Sequence, residues 1–350
     1  MKLLISFWIL MIFCAQTTWA QKKQFDKYTR ELYQELKLDE KNVDYTMFEK
    51  GIIGYYNIHS KAGKFDVPYG EYPDPEYDKE LAVLGKKIPL KENLILINFD
   101  LDRNDKRMLV IDMKNKEVKY HTQTTHGMGS QVNGEALNFS NIQDSGQTSL
   151  GFMLTLNEYD GVFGNSTRVY GIDGQLNDKV FLRDIVIHPA NVPSSTLGCY
   201  GYAHELGDEF IDFIKEGSII LSYFSKNNSL KKSKYLNKRK AARAKNKQDL
   251  AKCEIRLKMG NKEVAENSPE WKESLKYLVV DKNLIKSNGT NDVPNDSCSL
   301  SFHVNQNHYY VCDSGLYKNK GGSITSLNGN QWNHIVSQLV NDRDSLCLAN

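Results

Sequence analysis

Beyond its first 20 residues the chain has no apolar run long enough to cross a bilayer, so no transmembrane segment is expected. It has no glycine loop of the kind that cradles phosphate, no zinc-ligand spacing and no internal repeat. His121 and His126 stand five apart, but no carboxylate or Cys has a matching spacing, which argues against a metal. Neither a metal nor any other cofactor is expected, and no nucleic-acid partner. Acid is missing from one stretch: between Lys226 and Lys247 there are ten Lys or Arg and no Asp or Glu. The formal charge of +2 for the whole chain hides this segregation, since the remainder is net negative. Such a run reads first as a soluble basic linker, and second as a patch attracted to an anionic wall polymer or membrane surface.

Cysteine is scarce, with six in 350 residues. Residues 1–20 have the form of a secretory signal: Lys2 at the positive end, an apolar stretch Leu3–Cys14 broken at Ser6, and Thr18-Trp19-Ala20 at the cleavage position. The expectation is an exported protein of the periplasm or cell envelope, starting at Gln21 and carrying no lipid anchor. Export into an oxidising space favours disulfides. Without Cys14, five cysteines remain, four of them (Cys253, Cys298, Cys312, Cys347) in the last third. Two bridges are expected there, with the pairing open. Cys199 is left over, and an unpaired Cys in a secreted protein is either reactive or awaits a partner chain.

The stretch Ile185–Tyr202, IVIHPANVPSSTLGCYGY, carries the chemistry. Three β-branched apolar residues read as the end of a buried strand closed by His188. A loop with Pro189, Pro193, Ser194 and Ser195 then leads to Gly198-Cys199-Tyr200-Gly201. A thiol is a weak nucleophile until a base takes its proton, and a strand-end His facing the returning loop is suited to that task. On this reading Cys199 should alkylate faster than a free cysteine. Gly198 and Gly201 leave room for a substrate backbone, and the Cys199 N–H is available to an oxyanion. The competing reading, a buried strand-end His and an inert core Cys, fits the spacing equally well.

Residues 22–58 read as helical, with Phe25, Tyr28, Leu32 and Leu36 on one face and Phe48, Ile52 and Tyr55 continuing the stripe. Residues 59–92 are rich in Gly, Pro, Asp and Tyr and read as irregular. Short strands dominate from Asn93, a helix is expected at Glu205–Lys215, and a last strand at Ser218–Phe224. Many short strands with one late helix indicate a mainly β sandwich, not a βαβ sheet. The expected division is 1–20 signal, 21–92 helical N-terminal extension, 93–225 catalytic domain, 226–249 basic linker and 250–350 small C-terminal α+β domain. In the last, Ser299–Cys312 alternates as a hairpin about Asn305-Gln306-Asn307, and Trp332, Ile335 and Leu339 suggest a helix.

Residues from about 90 to 224 resemble the murein L,D-transpeptidase catalytic family, in its branch with an N-terminal helical extension. The blocks that carry the resemblance are Leu94–Met113, THGMGS at 125–130, FSN at 139–141, SLGF at 149–152, LNDKVFLRDIVIHPA at 176–190, LGC at 197–199 and IDFIKEGSIILSYF at 211–224. The resemblance implies a β-sandwich with Cys199 as nucleophile and His188 as base, the His oriented by a backbone carbonyl such as that of Pro189 or Ala190. It implies an oxyanion and substrate groove at Gly198, Tyr200, His126 and Ser149.

Two departures stand out. Where the branch has Arg-Ser before its Gly-Cys and Pro after it, this chain has Ser195-Thr196 and Tyr200. Where it has Lys-His-Gly, this chain has Val162-Phe163-Gly164. The implied function is an exported cysteine acyltransferase acting on peptidoglycan stem peptides through a thioester on Cys199. The alternatives are an L,D-carboxypeptidase on the same stems and a catalytically weakened wall-binding module.

Overall fold

The structure is a computed structural model that describes residues 21–60, 64–66, 87–259, 262–265, 268–271, 275, 298–312 and 315–349. The expected signal at 1–20 and the aromatic loop around Pro68–Pro75 lie outside the described residues. The chain divides into two compact units, Met1–Ala244 and Lys245–Asn350.

The first unit is built on one eight-stranded mixed sheet. Its strands are β1 (Asn93–Asn98), β2 (Met108–Asp112), β3 (Glu117–Thr122), β4 (Gly151–Gly161), β5 (Gly164–Gly171), β6 (Val186–Ala190), β7 (Tyr200–Ala203) and β8 (Ile219–Tyr223). They lie in the order β7-β6-β5-β4-β8-β1-β2-β3. The pairs β6·β7 and β8·β1 are parallel and the other neighbours antiparallel.

The unbroken apolar runs of β1, β2 and β8 follow from burial of both sheet faces. Leu94, Leu96, Leu109, Ile111, Phe152, Leu154, Ile219 and Leu221 enter one core. Their chain neighbours Ile95, Ile97, Met108, Val110, Met153 and Ile220 enter the other. In that second core they meet Ile187, Tyr200 and Tyr202 from the far end of the sheet, and Phe210, Ile211 and Ile214 of helix α3 (Gly207–Ile214). The expected sandwich is thus one sheet curled, almost barrel-like, around a shared core. Each fully buried Leu or Ile here contributes roughly 1.5–3 kcal/mol.

The first core is closed by helices α1 (residues 21–35) and α2 (Tyr45–His59), whose apolar stripes are buried as the periodicity implies. Between them Lys37 and Asn42 adopt left-handed backbone, and Asp44 caps α2 by accepting from the Met47 N–H at 2.7 Å. Gly54 lets α2 approach the sheet closely: a Cβ there would lie 2.1 Å from the Phe152 ring.

The basic run does more than span. Leu230, Tyr235, Ala241 and Ala242 are buried in the same core as α1 and α2. Asn57 donates to the Tyr235 and Asn237 carbonyls at 2.6 and 3.0 Å, and Lys238 pairs with Asp26 and Glu49. The sparse apolar residues in the run supply this docking, while its cations Lys231, Lys232, Lys234, Arg239, Lys240 and Arg243 stay exposed.

The second unit is α+β. Strands β9 (Ile255–Met259), β10 (Lys262–Val264), β11 (Cys298–Val304), β12 (Asn307–Cys312), β13 (Gly315–Lys320) and β14 (Ser323–Leu327) form an antiparallel sheet in the order β10-β9-β11-β12-β13-β14. In this unit the part of helix α4 (Lys238–Lys252) from Lys245 onward precedes the sheet, and α5 (Gly329–Asn341) and α6 (Arg343–Ala349) follow it. Asn328 and Gln331 cap α5 reciprocally, and Trp332 is buried among Phe302, Tyr309 and Leu346. The two expected bridges pair Cys253 with Cys347 and Cys298 with Cys312, and Cys199 is free.

Candidate active site

His188 and Cys199 are brought together by the one parallel pair at the sheet's end. Ile187 lies opposite Tyr200 and His188 opposite Gly201, so Cys199, just before β7, falls alongside Val186. Both His188 and Cys199 line a cavity of about 1060 Å³. The loop between them is tied down where Ser195-Thr196 pairs in parallel with His126-Gly127. Thr196 Oγ1 donates to the Cys199 carbonyl at 2.9 Å and accepts from the Gly198 N–H at 3.1 Å. Thr125 Oγ1 also donates to the Cys199 carbonyl, at 3.1 Å. The Cys199 backbone is therefore pinned from two loops.

His188 Nδ1 lies 2.8 Å from the Pro189 carbonyl. A carbonyl only accepts, so Nδ1 carries the proton and Nε2 is left with its lone pair, as a general base requires. Burial lowers the His188 pKa, and His204 lowers it further against the opposing Pro189 hydrogen bond, so the ring is neutral near pH 7. Phe163 stacks on the imidazole, with centroids 4.6 Å apart and planes at 26°. It sits at the tip of the β4–β5 hairpin. Val162 beside it is 98% exposed and lines the same cavity.

The thiol departs from the expectation of a primed nucleophile. Cys199 Sγ–H donates to the Asp184 carbonyl at 3.7 Å. Burial pushes the Cys199 pKa up to about 11, with Asp184 adding to the rise while the Val186 backbone contact and Arg183 oppose it. At rest the group is a protonated thiol, because desolvation outweighs every nearby favourable group. A nucleophilic role would require that proton to be removed by a nearby base.

The four residues expected to form the groove stand behind the cavity wall. Gly198 is buried with φ +127°, and a Cβ there would meet Ile185, the Gln147 carbonyl and Arg183 at 2.8–3.2 Å. Tyr200 is fully buried and donates to the Ser149 carbonyl at 2.8 Å. Ser149 is buried, donating to the Ser140 carbonyl at 2.9 Å and accepting from Arg183 Nη1 at 2.8 Å.

His126 is also fully buried, and its Nδ1 accepts from Arg107 Nη2 at 2.8 Å. A guanidinium cannot accept, so the proton of His126 is on Nε2. Burial, then Arg107 and Arg103, hold its pKa down to about 4 despite a favourable contact with Gln131. These residues support the loops that carry Cys199. The cavity wall is instead built by Met128, Phe163, Arg168, Asp184, Leu197 and His204 among others, none of them among the expected site residues. Among the described residues no group of three or more His, Cys, Asp or Glu is arranged to hold a metal.

Residues 78–223 match the family model of the L,D-transpeptidase catalytic domain. Among solved structures the chain is similar to an L,D-transpeptidase from Mycobacterium smegmatis, at 13% identity and a TM-score of 0.26, covering 38% of this chain and 59% of that one. It is also similar to Bdellovibrio bacteriovorus Bd1075, at 12% identity and a TM-score of 0.26, covering 68% of this chain and 91% of that one. The chain thus spans 59% of the length of the mycobacterial protein. No curated protein matches.

Proposed function

We propose that this chain, whose residues 78–223 belong to the L,D-transpeptidase catalytic domain family, is an exported cysteine acyltransferase that acts on peptidoglycan stem peptides. The family supports a peptidoglycan-modifying transpeptidase in general. The observation that carries the finer reading is a free thiol and a neutral, carbonyl-oriented imidazole on the wall of one cavity. As a stem binds, Cys199 gives its proton to His188 Nε2 while sulfur attacks the carbonyl carbon between an L-centred diamino acid and the following D-residue. His188 returns the proton to the departing amine, and the acyl group remains as a thioester on Cys199. The amine of a second stem attacks that carbonyl, loses its proton to His188, and the thiol is restored. Water in place of the amine gives L,D-carboxypeptidase activity with the same residues.

The two disulfides of the second unit agree with export to the periplasm or cell envelope. The exposed cations of 231–243 support contact with an anionic wall or membrane surface, which predicts salt-sensitive sedimentation with insoluble wall material.

Incubation with a purified disaccharide-tetrapeptide tests the reading. Crosslinked dimers mean transfer, tripeptide means hydrolysis, and neither product counts against both. The resting protonation of Cys199 favours one rival, a wall-binding module with weakened turnover. A carbapenem distinguishes them: the enzyme forms a covalent adduct that Cys199→Ala abolishes, while the module binds wall material and forms none.

A further inference from the structure

Asp184 lies in the turn that enters β6, in left-handed backbone with φ 52°. Its N–H donates to the Phe181 carbonyl, and the next N–H, of Ile185, donates to the Val180 carbonyl. Two arginines brace this turn. Arg168, reaching over from β5, pairs through Nη1 with Asp184 Oδ1 at 2.9 Å. The Arg168 guanidinium is buried and lies 4.3 Å from the centroid of the Tyr159 ring. Arg183 holds the neighbouring strand entry through the Gln147 carbonyl, the Ser140 carbonyl and Ser149 Oγ. The turn so fixed aims one backbone carbonyl, that of Asp184, at the Cys199 thiol. Arg168, Asp184, His188 and Cys199 all line the same cavity.

We propose that Arg168 is a positioning residue for the nucleophile, acting through Asp184: the ion pair fixes the Asp184 carbonyl as the resting acceptor of the Cys199 thiol and keeps the empty site unreactive until a bound substrate draws the sulfur toward His188. The proposal rests on the reading of Cys199 as nucleophile. A carbonyl oxygen bonds a protonated thiol and repels a thiolate, so this contact favours the neutral form. Alkylation and oxidation both run through the thiolate, so a thiol parked in this way survives an oxidising compartment between turnovers. The Cys199 pKa is raised chiefly by burial, with the charge of Asp184 adding to the rise. The charged and titratable groups around the thiol are Asp184 and Arg183 on the turn, Tyr200 beside it, and Asp160, Arg168, His188 and His204 on the cavity wall.

The test is the pH dependence of Cys199 alkylation by iodoacetamide, measured by peptide mass on the full chain for wild type, R168Q, D184N and D184E. Loss of one such hydrogen bond moves the midpoint down by about one pH unit, which is about tenfold faster alkylation below the midpoint. Positioning predicts this downward shift in R168Q and D184N alike. A purely electrostatic role predicts opposite shifts, because one variant removes a cation and the other an anion. Opposite shifts, or none, overturn the proposal. If buried Arg168 cannot be replaced without unfolding, D184E decides. Its charge is kept and its ion-pair geometry lost, so positioning predicts a downward shift, and an unchanged midpoint overturns the proposal. Alkylation needs no stem peptide, so failure here is distinct from failure of the transpeptidase reading, which the tetrapeptide products decide.

Discussion

His126 makes the stability of the first unit depend on pH in a direction and amount that the structure supplies. Its pKa in the folded chain is held down to about 4 by burial beside Arg107 and Arg103, against 6.5 when unperturbed. The folded state therefore keeps the ring neutral at pH values where the unfolded chain protonates it. Between those two values unfolding takes up a proton, so stability is fully present above pH 6.5 and is lost as pH falls toward 4. From pH 7.5 to 5.0 the loss is about 2 kcal/mol, and by pH 4 about 3 kcal/mol.

His126→Asn keeps an acceptor close to where Nδ1 stands, within reach of Arg107 Nη2, and removes the titration. Native-state hydrogen exchange of the β1 and β8 amides at pH 7.5 and 5.0 measures the stability of this unit within the whole chain. His121 and His188, whose pKa values are also lowered, contribute to the wild-type slope, so the difference between wild type and variant isolates His126. The variant should lose about 2 kcal/mol less than wild type over this range. Equal losses in the two proteins would refute a buried, neutral His126 held by Arg107.

Tyr200→Phe leaves the Ser149 carbonyl without its donor and should cost about 1–2 kcal/mol in chemical denaturation, with the rate of Cys199 acylation within about twofold of wild type. A large rate loss at full stability would instead put Tyr200 in contact with substrate. Gly198→Ala places a Cβ against Ile185, the Gln147 carbonyl and Arg183 at a backbone angle suited to glycine. It should cost about 2–4 kcal/mol and slow acylation, as melting and adduct formation would record. Reduction should open the Cys253–Cys347 bridge, whose 94-residue separation gives it about 4–5 kcal/mol in the chain-entropy account. Amides of β11 and β12 should then exchange faster while those of β1 and β8 do not change.

What was legible in the sequence was local. The runs at 94–97 and 108–111, the stripe Phe48–Ile52–Tyr55, the hairpin about Asn305-Gln306 and the odd cysteine each follow from periodicity, turn chemistry or counting, and the structure contains all of them. His188 in a strand and Cys199 just before the next were legible in the same way, but the strand does not close at His188 as expected: it runs on through Pro189 to Ala190, paired with Tyr202 and Ala203. What faces the cavity was not. Tyr200, Ser149 and His126 are polar residues beside Cys199 and His188, yet all three are buried and hydrogen-bonded behind the cavity wall. Phe163 and Arg168 reach the site because β4 and β5 form a long hairpin whose tip returns over β6, a contact that no short window contains. The basic run presented its cations to any sequence reading, while its docking depends on a few apolar residues, Leu230 and Tyr235 among them.

A covalent acyl intermediate on Cys199 is the most direct test of the proposed function. Brief incubation of the full chain with a disaccharide-tetrapeptide, an acid quench and intact mass should give a fraction of protein carrying the tripeptide acyl group. Peptide mapping should locate it on Cys199, and it should be lost in Cys199→Ala and slow to form in His188→Gln. Products formed by Cys199→Ala at the wild-type rate, or an acyl group mapped to any other residue, would contradict it.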